Sequence, residues 1–405
     1  MTIVSPYASP YPTVLVPPHG PFLTLPQENQ LGAPAETNLP RFVNYAADLS
    51  GCYYWRIGWP ELLINSSGMG VSCSLTAMVG DPGWYTNTKC VKIQRQASTD
   101  QKRFVMHLKE IQKTHNFKII YEVDDVVFSE EIPLYNKFRD AFATPEIRQN
   151  CIDIINMCDE VTVTCDFMRK LYQQKTGKKE VTVIPNFIPH FWMGHQFNKR
   201  RVYDNFDKFK KRPRIAYTGS GAHYDVDFKN NGIDDFSHVL DFVIKTRFKY
   251  QWVFVGSFPP PLLEYIQNKE IEYHPWQTLV SYPAMLASLN AQAFIAPLQV
   301  NRFNNSKSDI KFIEACILGL PCLVQDMETY KNAPEFLKFK TGTDLETKLD
   351  DILKNKAQYY RNVDMYRHIG EQRLLELPEN IGCHMEVLTT PYGSPERKYL
   401  KRWNP

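Results

Sequence analysis

Short runs of β-branched and aromatic residues alternate along this chain with longer stretches whose apolar positions recur every three or four residues. Runs at 89–93, 117–123, 160–164 and 181–184 read as strands, and the stretches 100–114, 145–157 and 167–175 between them read as helices. The alternation then starts afresh. Strands are expected at 214–217, 252–255, 271–273, 293–296 and 322–324, with helices at 236–246, 261–267, 279–289 and 309–318. Two such series predict an α/β protein with two Rossmann-like domains. The segment 187–213 is polar, basic and aromatic without clear periodicity, and reads as the interdomain connection. Two further helices are expected at 345–354 and 362–375. The first 40 residues, rich in Pro and small residues, read as extended, with a strand around 13–16.

Length and composition fit this picture. A chain of 405 residues is too long for one ordinary core. No run reaches the roughly 18 apolar residues of a membrane helix. No basic residue precedes an apolar stretch at the N-terminus, so a signal peptide is not expected. The nine cysteines are scattered without a CxxC pair, which favours a reducing, cytoplasmic setting over disulfides or zinc. Net charge is only +3, but two basic clusters stand out. One holds Lys199, Arg200, Arg201, Lys208, Lys210, Lys211, Arg212 and Arg214; the other holds Arg397, Lys398, Lys401 and Arg402. Solvated surface is the plain reading of each, and a polyanionic partner is the other.

Three segments carry candidate chemistry. In the first, Phe303, Asn304, Asn305, Ser306, Lys307, Ser308, Asp309, Ile310, Lys311, Phe312, Ile313 and Glu314 follow a predicted strand and open a predicted helix. Ligands of open parallel sheets bind beyond the carboxyl ends of the strands. Ser306 and Ser308 are placed as N-caps, and the helix start with Lys307 and Lys311 would receive a diphosphate. Glu314, two turns past Lys307, would accept the hydroxyls of a ribose. The competing reading is an ordinary amphipathic helix with a polar cap. In the second segment, a strand runs into Thr218, Gly219, Ser220, Gly221, Ala222 and His223, a turn whose glycines allow close backbone approach. In the third, the strand 117–123 ends in Glu122, Val123, Asp124 and Asp125. Acids at a strand end can orient an acceptor hydroxyl or take its proton. A helix-capping turn, or an acid–x–acid metal site through Glu122 and Asp124, are the alternatives.

The string FNxxKSDIKFIEAxxLGLP resembles the donor-site signature of GT-B glycosyltransferases, in the large retaining family that includes many bacterial and phage enzymes. That family places one Glu at the head of the helix and another eight residues later. Here the second falls on Glu314, while Ser306 stands in the first position, as in a sub-branch reading FN–KS–K–E. The resemblance implies an acceptor domain at 1–190, a nucleotide-sugar domain at 205–345, and helices over 346–405 that pack back on the first. It implies donor contacts from Gly219, Ser220, Lys307, Ser308, Lys311 and Glu314, a nucleobase near Trp276 (otherwise a core residue), and a hinge at Asn186. It places Asp124 and Asp125 in the cleft, with Lys307 and Lys311 stabilising the departing diphosphate without a required metal. Arg95 stands either toward the cleft or on the surface.

The expected activity is transfer of a sugar from a nucleotide donor, UDP on family grounds, to a hydroxyl. Phage enzymes of this resemblance glucosylate or arabinosylate hydroxymethylcytosine in DNA, and the basic clusters suit such an acceptor. A glycan or lipid-linked sugar is the alternative acceptor. A non-catalytic binder of nucleotide sugar or nucleic acid is the alternative class.

Overall fold

The computed structural model describes residues 39–196 and 198–404, so the strand expected around 13–16 lies outside the described residues. Within them twelve strands form two six-stranded sheets whose strand pairings are all parallel. The first sheet comprises β1 (Arg41–Tyr45), β2 (Val71–Leu75), β3 (Thr88–Gln94), β4 (Lys118–Glu122), β5 (Glu160–Val163) and β6 (Val181–Val183). Its spatial order is β2-β1-β3-β4-β5-β6. The second comprises β7 (Arg214–Gly219), β8 (Gln251–Gly256), β9 (Glu272–Pro275), β10 (Ala293–Ala296), β11 (Cys322–Gln325) and β12 (Lys338–Phe339). Its order is β12-β11-β10-β7-β8-β9.

Helices cover both sheets, as parallel strands require, because strands such as β4 and β10 bury side chains on both faces. Strand order reverses between β1 and β3 in the first sheet and between β7 and β10 in the second. A doubly wound sheet opens its ligand crevice at such reversals. The two crevices face each other, because residues at the carboxyl ends of both sheets are in contact across the cleft.

β1, β2 and the helix Trp59–Ser66 were not expected from the pattern. Arg41 and Asn44 break the apolar run in β1, yet both are buried. Arg41 donates to the Trp84 carbonyl at 2.8 Å and lies over its ring, and Asn44 donates to Glu61 at 2.9 Å. The supposedly irregular connection contains helices Phe191–Gln196 and Lys199–Lys208. The second buries Val202 and Phe206, one turn apart, beneath a surface basic enough to hide their spacing.

The C-terminal part divides. Helices Gly342–Lys354 and Lys356–Glu371 pack within the second half, the latter against helix Ile310–Ile317. The return to the first half therefore begins later than residue 346, near Leu374, where apolar partners in the first half become available. There Ile188 donates to the Arg373 carbonyl at 2.7 Å, and Leu375 donates to the Ile188 carbonyl at 2.8 Å. Helix Pro378–Thr389 then lies against β3. Beyond it Arg397 forms a two-armed ion pair with buried Glu160, both contacts at 2.7 Å.

Candidate functional site

At the β7–β10 reversal the second sheet presents three strand ends side by side. Gly219 at the end of β7 pairs in register with Gly256 at the end of β8, and Gly256 pairs with Pro275 of β9. Both glycines are required by their neighbours. A Cβ on Gly219 would lie 2.6 Å from the Tyr217 hydroxyl; one on Gly256, at φ +88°, would lie 2.7 Å from the Gly219 carbonyl. The Trp276 ring rests on the other side of Gly256, where such a Cβ would meet it at 3.0 Å. Trp276 is 55% exposed, which removes the core alternative and leaves an indole face at the mouth of the crevice. Ser220 caps the short turn 221–223 through its side chain, which accepts from Ala222 N at 3.3 Å. Beside it Ser257 buries a hydroxyl that has no hydrogen-bond partner among the described residues. Exposed Lys137 reaches in from the first half, its Nζ 3.9 Å from where a Gly221 Cβ would be. Neither Ser257 nor Lys137 carried a sequence signal, since each lies in an unremarkable loop.

The lysine segment differs in detail from expectation. Residues 302–305 form a separate helical turn, and the following helix starts only at Ile310. Ser306 is therefore no N-cap. It is fully buried and donates its hydroxyl to the Arg302 carbonyl at 2.9 Å. Ser308 does not cap either: its Oγ accepts from Asn186 Nδ2 at 3.0 Å. Lys307 thus precedes the helix, and the same-face pair is Lys311 and Glu314. Lys307 lies over the Phe303 ring, with its Nζ 4.0 Å from Asp125 Oδ2 across the cleft.

Lys311 donates to His223 Nε2 at 3.1 Å. His223 Nδ1 in turn donates to Asp235 Oδ2 at 2.7 Å. Burial, and then the Lys311 charge, lower the His223 pKa to about 4, so the imidazole is neutral. Burial and the Lys307 charge lower the Lys311 pKa to about 8. Glu314, 5% exposed, accepts from the Tyr282 hydroxyl at 3.0 Å. Burial raises its pKa to about 7, with Tyr282 and Lys311 opposing. Such displaced values concentrate where function needs them.

Facing this cluster, Asp48, Arg95 and Asp124 follow the carboxyl ends of β1, β3 and β4. Arg95, at φ +46°, pairs with Asp48 and stands 3.7 Å from Asp124 Oδ1. It belongs to the cleft side rather than open surface. Asp124 Oδ1 is buried without a hydrogen bond. Burial raises the Asp125 pKa, although Lys307 opposes it. Glu122, by contrast, is held by fully buried Arg56 at 2.7 Å and by Thr162. That pairing removes it from an acid–x–acid site with Asp124. Asn186 joins the halves: it accepts from Arg56 at 2.9 Å, donates to Ser308, and its carbonyl accepts from Arg373 at 2.8 Å.

The basic clusters are less free than expected. Arg397 is buried on Glu160. Arg212 donates to the Arg247 and Glu270 carbonyls, and Arg214 pairs with Glu272. Lys199 pairs with Asp364, and Arg201 donates to Asn290. These guanidiniums complete the fold because the chain end and the helix surfaces leave unpaired carbonyls and carboxylates beside them. Among the described residues no helix is long and apolar enough to cross a membrane.

No family model matches the chain, and no curated protein matches it in sequence. Its fold matches solved structures. Alr3699/HepE of Anabaena in complex with UDP-glucose aligns over 86% of this chain and 99% of its own, with TM-score 0.57 at 8% identity. The same protein in complex with UDP and glucose aligns over 83% and 95%, with TM-score 0.53 at 8% identity. At that identity the likeness is one of fold: two Rossmann-like units facing across a cleft, the GT-B arrangement.

Proposed function

We propose that this GT-B chain is a glycosyltransferase taking its sugar from a UDP-sugar. The carrying observation is the convergence at one strand-order reversal of Gly219, Ser220, Lys307, Lys311 and Glu314, opposite Asp124 and Asp125. A solved protein of this fold, in complex with UDP and glucose and with UDP-glucose, supports the donor class. In this reading Trp276 stacks on the base and Glu314 accepts the ribose hydroxyls. The Gly219–Ser220 turn approaches the phosphates, and Ser308 stands beside them. Lys307 and Lys311 stabilise the charge that develops on the departing diphosphate. The acceptor hydroxyl approaches from the Asp48–Arg95–Asp124 side, where Asp124 or Asp125 orients it or takes its proton. No cofactor enters this scheme beyond the nucleotide sugar.

Hydroxymethylcytosine in DNA is the finer acceptor suggested by the sequence. Its support is reduced by the internal pairing of Arg212, Arg214 and Arg397, so the proposed acceptor class is a hydroxyl, whether on DNA or glycan. The test is a thermal-shift screen of nucleotide sugars, followed by labelled transfer to hydroxymethylcytosine DNA, plain DNA and an oligosaccharide. Binding and cleavage of one UDP-sugar is expected. A protein that neither binds UDP nor cleaves any nucleotide sugar would refute the reading.

A further inference from the structure

Lys311 is one end of a buried chain of hydrogen bonds that begins in the other half of the molecule. Tyr135, from the loop after β4, donates its hydroxyl to Asp235 Oδ1 at 2.6 Å. The same oxygen accepts from Asn304 Nδ2 at 2.5 Å and from Gln299 N at 3.0 Å. Asn304 Nδ2 also donates to the Tyr135 hydroxyl at 3.0 Å. Asp235 is 1% exposed, and its second oxygen accepts from His223, whose far nitrogen accepts from Lys311. Acidic Asp235 thus fixes the protonated nitrogen of the ring on one side and leaves a lone pair for the ammonium on the other.

We infer that Asp235 and His223 are positioning residues that aim the Lys311 ammonium at the donor diphosphate, and that Tyr135 makes this aim depend on the closed cleft. The inference rests on the donor-site reading above. Opening the halves would withdraw the Tyr135 hydroxyl from Asp235, weakening the anchor of a group on the opposite sheet. Lys311 is faced by Lys307, Asp235, Glu314, His223, Cys322 and the Tyr217 ring. Of these, Asp235 and Glu314 favour its charged form, so Asp235 both orients and charges it.

The experiment compares wild type with Asp235→Asn, His223→Ala, His223→Gln and Tyr135→Phe, each confirmed folded by thermal melting. UDP affinity is read by calorimetry, and UDP-sugar turnover is read across pH. Asp235→Asn should move the alkaline limb of activity to lower pH, because it removes a charge that keeps Lys311 protonated. His223→Ala should lower kcat by ~10²-fold through misplacement of the ammonium. His223→Gln, which retains an acceptor for Lys311, should recover part of that loss. Tyr135→Phe should lower kcat about tenfold and weaken UDP binding with it, as for one lost bond to a carboxylate, and a variant equal to wild type in both would remove Tyr135 from the chain. An unmoved alkaline limb in Asp235→Asn, or a Gln variant no better than the Ala variant, would overturn the inference while wild-type turnover upholds the donor site. Wild type that neither binds UDP nor cleaves UDP-sugar would overturn both.

Discussion

Glu314 gives a prediction whose size follows from its burial. Its carboxyl is raised from the usual 4.5 to about 7, chiefly by desolvation. The unfolded chain releases this proton near 4.5, whereas the folded chain keeps it until about 7. Between those values the folded state binds more protons, so stability falls as pH rises through the window and levels off above it. A difference of this size corresponds to ~3 kcal/mol of stability withheld at pH 8. Glu314→Gln keeps the shape and an acceptor for Tyr282 but removes the buried charge. It also removes a charge that helps keep Lys311 protonated, which trims the gain. We expect the variant to be more stable than wild type by about 1–3 kcal/mol at pH 8, with little difference near pH 4.5. Urea denaturation at both pH values measures this. UDP affinity should move the other way, about 10- to 100-fold weaker at pH 8, since bonds to charged groups contribute ~1.5–3 kcal/mol. An equal stability difference at both pH values, or UDP binding untouched by the variant, would refute the reasoning.

Three further outcomes are expected. Lys307→Ala should weaken UDP binding by roughly tenfold or more through loss of a charge-assisted phosphate contact, and unchanged calorimetric affinity would remove Lys307 from the donor site. Asp124→Asn and Asp125→Asn should lower kcat more than UDP affinity, with wild-type activity kept in excess EDTA; restoration by manganese after EDTA loss would show a metal role instead. Glu160→Gln should destabilise the fold by about 3–5 kcal/mol in urea denaturation, because it strands buried Arg397, and a variant as stable as wild type would show that the pair holds nothing together.

Much of the framework was legible from local pattern. The strands β3 to β11 lie near the predicted runs, because continuous β-branched and aromatic segments have few other stable fates in a parallel sheet. β1 and β2 are hidden from local pattern because their buried polar residues are satisfied by partners elsewhere, Asn44 by Glu61 and Ser72 by the same carboxylate. Local pattern cannot display a partner supplied by another element. Gly219 was marked as a turn by its residue type, but its need for no side chain comes from Tyr217 beneath it.

The sequence by itself determined a two-part α/β chain, with a Gly turn and a Lys–Glu helix each following a strand. Those signals depend on neighbours within a few residues. Tertiary structure decided which groups work together. It sank Ser306 into the interior, tied Arg397 to Glu160, and left Trp276 open over Gly256. It also joined Tyr135 to Asp235, 100 residues apart, and His223 to Lys311, 88 apart. Such pairs are set by strand order and by the meeting of two sheets at their carboxyl ends. No spacing along the chain encodes that meeting, because the number of residues between two partners does not set their distance in space once helices and loops fold between them.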